Sequence, residues 1–255
     1  MSFAEDMATH LPDGLTLPTA FVRTFDWLEA QGWHDTVPNG DPQDFGNRML
    51  FIYPQAARNL PSASHVVFRF EAGPPLYQPP PEAMARVATI AKIAGDGGTL
   101  SLWLDDDGKQ WIVVFNHGIP YVLTDDALIA LQFLALGYTE PGAITDPGLT
   151  PIEHALQDFG DPPVPPLEFR AFLTDTFGVT LPDRASALGI TIPADIAPDP
   201  IRDWIEAVMP EPEIGAIPGM TPENPYVITS ELREILGEEG IAILRESYEY
   251  VIEEE

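Results

Sequence analysis

The residues able to do chemistry are scattered along this chain rather than gathered. Five histidines stand at 10, 34, 65, 117 and 154, with no HExxH-like or other metal-ligand spacing. There is no cysteine, which excludes disulfides, thiolate metal sites and cysteine nucleophiles. Asp105, Asp106 and Asp107 precede Gly108 and invite a calcium reading, since an EF-hand loop alternates acids ahead of its glycine. Aligned on that glycine, Trp103 falls on the first ligand position and no glutamate reaches the twelfth, so the triplet reads as a hairpin turn. No GxSxG elbow is present. The glycine-rich "AGDGGT" lacks the P-loop lysine and leads into a strand instead of a helix. With 40 acids, carboxylate pairs are certain to occur and therefore identify nothing. An aromatic and acidic group remains as the candidate partner-binding surface: Trp103, Asp105, Asp106, Asp107, Trp111, His117 and Tyr121. Catalytic, cofactor-binding and metal-binding residues are not assigned, and no cofactor is expected.

The elements that position this group are legible. "TLSLWL" and "QWIVVF" alternate about "DDDG", where a type I turn followed by a left-handed glycine makes a three-residue hairpin loop. That register sets Leu104 opposite Gln110 and Trp103 opposite Trp111. Thr99, Ser101, Val113 and Phe115 then share the tryptophan face, and Leu100, Leu102, Leu104, Ile112 and Val114 line the other, better core face. "IPYVL" makes a third strand. "TDDALIALQFLALG" reads as a helix with Thr124 as N-cap. Upstream, Phe21, Phe25 and Leu28 mark a helix that opens near Pro18 and stops at Gly32. "MLFIYP" and "HVVFRFE" read as strands. "PPPEAMARVATIAKIAG" reads as a helix from about Glu82, with Met84, Val87 and Ala91 on one face. Residues 1–16 read as a loose lead-in. Beyond Tyr138 the chain is punctuated by proline, with helices in "PLEFRAFLTDTFG", "PDPIRDWIEAVM", "TSELREILG" and "GIAILRESYEYVIEEE". The expected division is an α+β domain over 1–140, then a proline-rich connection and a mainly helical C-terminal extension over 141–255, with "GDPPVPPLE" as the junction.

The 255 residues carry 40 acids against 12 bases, a formal net charge of −28. Such a chain repels phosphate backbones, which argues against nucleic acid as a partner. The charge suits either solubility, including in a salty cytoplasm, or a cationic partner met quickly by electrostatic attraction. The hydrophobic share of 45 % supports a sizeable core. The N-terminal "MSFAEDMATHLPDG" lacks the basic and apolar regions of a signal peptide, and the longest apolar run falls short of the ~20 residues that span a membrane. A soluble cytoplasmic protein with no membrane partner is the expectation. The sequence leaves the oligomeric state open.

A helix ending in the Gly-Asp-Gly-Gly of residues 95–98, the strand "LSLWL", the Asp-Gly hairpin, the strand "WIVVF", "NHG", a short strand and "LTDDALIALQFLAL" together resemble the SUKH superfamily, relatives of the yeast Smi/Knr cell-wall regulators. Thr124, Leu128, Phe133 and Leu134 stand where that family's helix after the sheet has its pattern. "LPTAFVRTFDWLEAQG" is similar to the family's opening, through Leu17, Pro18, Phe21 and Gly32. The likeness spans residues 15–140, and "FRAFLTDTFGVTLPDRA" resembles an extension of bacterial members. The double glycine and asparagine that follow the family's first helix are missing here. The resemblance implies a twisted antiparallel or mixed sheet with flanking helices, and a non-enzymatic protein-binding module. It also implies the immunity type, which neutralises a toxin of a bacterial polymorphic toxin system, often a nuclease; the partner would then be a basic toxin domain. The alternatives are a cytoplasmic regulatory scaffold and a carboxylate-dependent hydrolase.

Overall fold

A computed structural model describes residues 1–36, 48–76, 79–95, 97–116, 119–193, 197–209, 227–228 and 252–253. Its core is an α+β arrangement built on an antiparallel sheet, seven-stranded among the described residues, in which each strand pairs with its sequence neighbour. The strands are β1 (His34–Thr36), β2 (Arg48–Phe51), β3 (Val67–Ala72), β4 (Val87–Lys92), β5 (Thr99–Leu104), β6 (Gln110–Asn116) and β7 (Ile119–Thr124). The β5–β6 hairpin has the register read from its turn, with Trp103 opposite Trp111 and Leu104 opposite Gln110. Gly108 supplies the left-handed turn residue at φ 77°, which only glycine adopts without steric cost.

Helices cover both faces, and a single-turn helix α3 (Gln55–Arg58) falls between β2 and β3 in the chain. On one face lie α1 (Phe3–His10), α2 (Thr19–Ala30), α5 (Ala127–Ala135) and α7 (Leu167–Phe177). Their Met7, Phe25, Leu134 and Leu173 join Phe68, Leu100, Leu102, Ile112 and Val114 in the main core. The opposite face holds a smaller core, where α4 (Pro81–Arg86) and α8 (Pro200–Val208) meet Val87, Trp103, Val113 and Phe115. The alternation read in the hairpin therefore sorts its residues between the two cores as expected. Burial on both faces is why β4 and β5 read as near-continuous apolar runs. Two of their buried hydroxyls pair across the sheet, Thr89 Oγ1 lying 3.0 Å from Ser101 Oγ.

Several elements differ from the sequence reading. The helix expected from Glu82 through Ala91 ends at Arg86, and Val87–Lys92 is strand β4. Val87, Thr89 and Ile90 are β-branched, and two flanking strands satisfy the backbone of "VATIAK". Residues 3–10 are helix α1, closed by a capping box in which Ser2 and Glu5 satisfy each other's backbone amides. An unforeseen α6 (Pro151–Asp158) opens with the same device at Thr150 and Glu153. The N-cap of α5 is Asp126, whose carboxylate accepts from the amide of Leu128, while Thr124 ends β7.

The division expected at residue 140 falls inside one compact unit, Met1–Met209; a second unit covers Pro210–Glu255. Trp27 of α2 stacks on Phe172 of α7 with ring centroids 4.3 Å apart, so the residues after 140 share the first unit's core. Nor is "GDPPVPPLE" a free linker. The amide of Val164 donates to the carbonyl of Ser62, and the Tyr53 hydroxyl donates to the carbonyl of Val164 at 2.6 Å. In the second unit, β8 (Val227–Ile228) pairs in parallel with β9 (Ile252–Glu253). Strand β9 stands where the sequence suggested a helix running to the C-terminus. The rest of that helix, and the one in "TSELREILG", lie outside the described residues.

Candidate functional site

The hairpin tip is tied into its own fold. Asp105 turns back on the loop: Oδ1 accepts from the amides of Asp107 (3.0 Å) and Lys109 (2.8 Å), and Oδ2 accepts from the indole N–H of Trp111 at 2.7 Å. Partial burial opposes ionisation of this carboxyl. The Trp111 indole, the two amides and the charge of Arg86 outweigh it and hold the group below the usual carboxylate range. Asp106 receives the Arg86 guanidinium at 2.7 Å, and the same guanidinium lies 4.7 Å from the ring centre of Trp204 in α8. Lys109 sits 3.5 Å above the Trp111 ring and pairs with Asp125 at 2.6 Å, which lowers the Asp125 carboxyl. Asp107 remains as the exposed acid of the turn without a cation partner among the described residues.

The remaining candidates do not converge on one surface. Trp103 is 2 % exposed, its ring 5.6 Å from that of Trp204. A helix from beyond residue 140 therefore covers it, and Trp103 belongs to the core. Tyr121 is buried as well; burial, with the Asp199 charge beside it, drives its hydroxyl far above the ordinary tyrosine range. Trp111 is half-buried. His117 lies outside the described residues. Two of the proposed anchors are thus enclosed, and two of the three aspartates already hold an indole or a guanidinium.

A different surface has the features of a docking face. On α6 and its C-cap, Ile152, Leu156 and Phe159 are 57, 53 and 46 % exposed. Spaced i, i+4 and i+7, they form one stripe along the helix, while Pro151, His154 and Ala155 turn inward. His154 packs edge-on against Tyr138 at 5.7 Å, which fixes which side of α6 faces out. At its N-terminal end the stripe borders a cleft of about 340 Å³, lined by Leu136, Ile152, Pro163, Pro165 and Leu167 together with Arg170 and Asp183. Leu167 is itself 62 % exposed. Around this apolar surface Glu153, Asp158, Asp161 and Glu168 are all exposed. The sequence reading passed over the stripe, although the capping box "TPIE" and the i, i+4, i+7 spacing were present to mark it.

Among the described residues no three histidine or acidic side chains gather as a metal site, and no helix is long and apolar enough to cross a membrane. No protein-family model, curated protein or solved structure matches the chain.

Proposed function

We propose that this protein is a non-enzymatic, cytoplasmic binding module that captures a cationic protein, in the manner of an immunity protein neutralising a basic toxin domain. The observation that carries the reading is the α6 stripe: three large apolar side chains, together exposed, bordered by carboxylates on a chain of net charge −28. Contiguous exposed apolar surface with a polar rim is the usual mark of a protein-interaction site. Acids around it favour arginine and lysine on the partner and disfavour acidic competitors. The SUKH resemblance supports the same class of function.

The test is capture of partners from the native host by the full chain and by the double variant Ile152→Asp, Phe159→Asp. Both positions are exposed, so the fold should tolerate the change. The expected result is a basic partner held by the wild type and lost by the variant, with no turnover of phosphodiester, ester, peptide or glycoside substrates by the purified protein. A partner that is acidic, or one that binds the variant equally well, would overturn the reading.

A further inference from the structure

A second pocket, of about 250 Å³, is bordered by Phe51, Tyr53, Arg58, Ser64, His65 and Lys92. Basic side chains gather here on a strongly acidic chain, although Asp35 already pairs with Arg58 and Glu140 with His65. The chain has 12 lysines and arginines against 40 acids, yet Arg58 and Lys92 line one small pocket with His65. The other lysine, Lys109, is neutralised by Asp125. Lys92 is half-buried on β4 and has no ion-pair partner among the described residues. Arg58 is laid over the Phe51 ring at 4.2 Å and pairs through Nη2 with Asp35. His65 Nδ1 contacts Glu140 at 2.8 Å, which leaves its Nε2 for another partner.

A second observation points the same way. Ser64 is 7 % exposed, and its buried Oγ has no hydrogen-bond partner among the described residues. Its amide is already used, donating to the Tyr53 hydroxyl at 3.2 Å. Thr24, Thr99, Tyr121 and Thr139 carry hydroxyls in the same state, but of these residues it is Ser64 that lines the pocket, and the desolvation of its hydroxyl goes uncompensated. Lys92, which lines the same pocket, has no ion-pair partner among the described residues. Both needs are met by one ligand, an oxyanion that accepts from the hydroxyl and from the cations.

We propose that this pocket binds a phosphate group, free or as the head of a small monoester, with Lys92 and Arg58 as its charge partners and Ser64 as a hydroxyl donor. The volume lies below the ~300–1,000 Å³ of sites for drug-sized ligands, so it suits one compact group. Arginine and lysine together with a hydroxyl match the several acceptor oxygens of phosphate better than the two of a carboxylate.

The experiment is calorimetric titration of the full-length protein with inorganic phosphate, glycerol 3-phosphate and acetate at constant ionic strength, repeated on Lys92→Gln and Ser64→Ala. Binding of one or both phosphates is expected to be saturable and tighter than acetate. Lys92→Gln should weaken it by about tenfold or more, the scale of one charge-assisted hydrogen bond, while the melting temperature without ligand stays close to wild type. Tighter binding of the monoester or of free phosphate identifies the source. Absence of saturable binding, equal binding by Lys92→Gln, or acetate binding as tightly as phosphate would each overturn the assignment. The measurement involves no protein partner, so its outcome is separate from that of the capture experiment.

Discussion

At the scale of single residues, two aspartates show how position sets the sign of a carboxyl's contribution. Asp199 caps α8 from a buried position, accepting from the amides of Val122 at 3.1 Å and Ile201 at 3.2 Å. Desolvation nevertheless dominates and raises this carboxyl above its ordinary range. Its contribution to stability is therefore complete below the unfolded value of about 4 and is lost as pH rises through the higher folded value. Asp105 has the opposite sign: its carboxyl is lowered, so its contribution is complete above about pH 4 and is lost as pH falls through the lowered folded value. Asp199→Asn keeps a side-chain acceptor and removes the desolvated charge. At pH 7 it should match or exceed wild-type stability, whereas Asp199→Ala should cost about 0.5–2 kcal/mol as a lost cap. Urea unfolding at pH 5 and pH 7 checks both, and equal losses from Asn and Ala would show that the charge itself is required. The sequence marked the Asp105 turn because glycine and aspartate spacing encodes a hairpin locally. It could not mark the desolvation of Asp199, which depends on a strand 77 positions away.

At the scale of elements, α8 makes the tryptophan face a core. Trp204 and Ile205 close over Trp103, and the Arg86 guanidinium lies over the Trp204 ring. Trp204→Ala and Trp103→Ala should each lower stability by about 3–5 kcal/mol, the range for deleting a buried aromatic side chain. Because the two rings touch, the double variant should lose less than the sum of the single ones. Chemical denaturation of the four proteins decides this, and a loss under about 1 kcal/mol for Trp204→Ala would mean that α8 does not cover the sheet. Legibility also divides by element. The β5–β6 pair and the α2 helix were readable because turn chemistry and apolar period agree there. "VATIAK" was misread because a strand buried on both faces has no period that separates it from a buried helix. Helices α1 and α6 escaped notice because they are short and only partly apolar. "SFAE" and "TPIE" carried their signal in the caps.

At the scale of the whole molecule, the α+β class was legible from patterning, and the reach of the first unit to Met209 was not. Contacts such as Trp27 with Phe172 join side chains 145 positions apart and leave no periodic trace in the sequence. The charge is the property that sequence alone supplies in full, and it makes opposite demands on folding and on binding. Forty acids on one chain repel each other in the compact state, and that repulsion is released on unfolding. Added salt shortens the screening length from ~30 Å near 0.01 M to ~8 Å near 0.15 M. Folding stability should therefore rise with sodium chloride over this range. Capture of a cationic partner at the acid-rimmed α6 stripe should respond in the other direction. Its on-rate should fall by about tenfold or more over the same interval, because screening removes the steering that brings opposite charges together. Melting temperature and stopped-flow association, followed across one salt series, give both slopes. A melting temperature that falls with salt would mean that internal ion pairs such as Arg86–Asp106 and Lys109–Asp125 outweigh the net repulsion. An on-rate indifferent to salt would confine the acidity to solubility and leave the apolar stripe alone to select the partner.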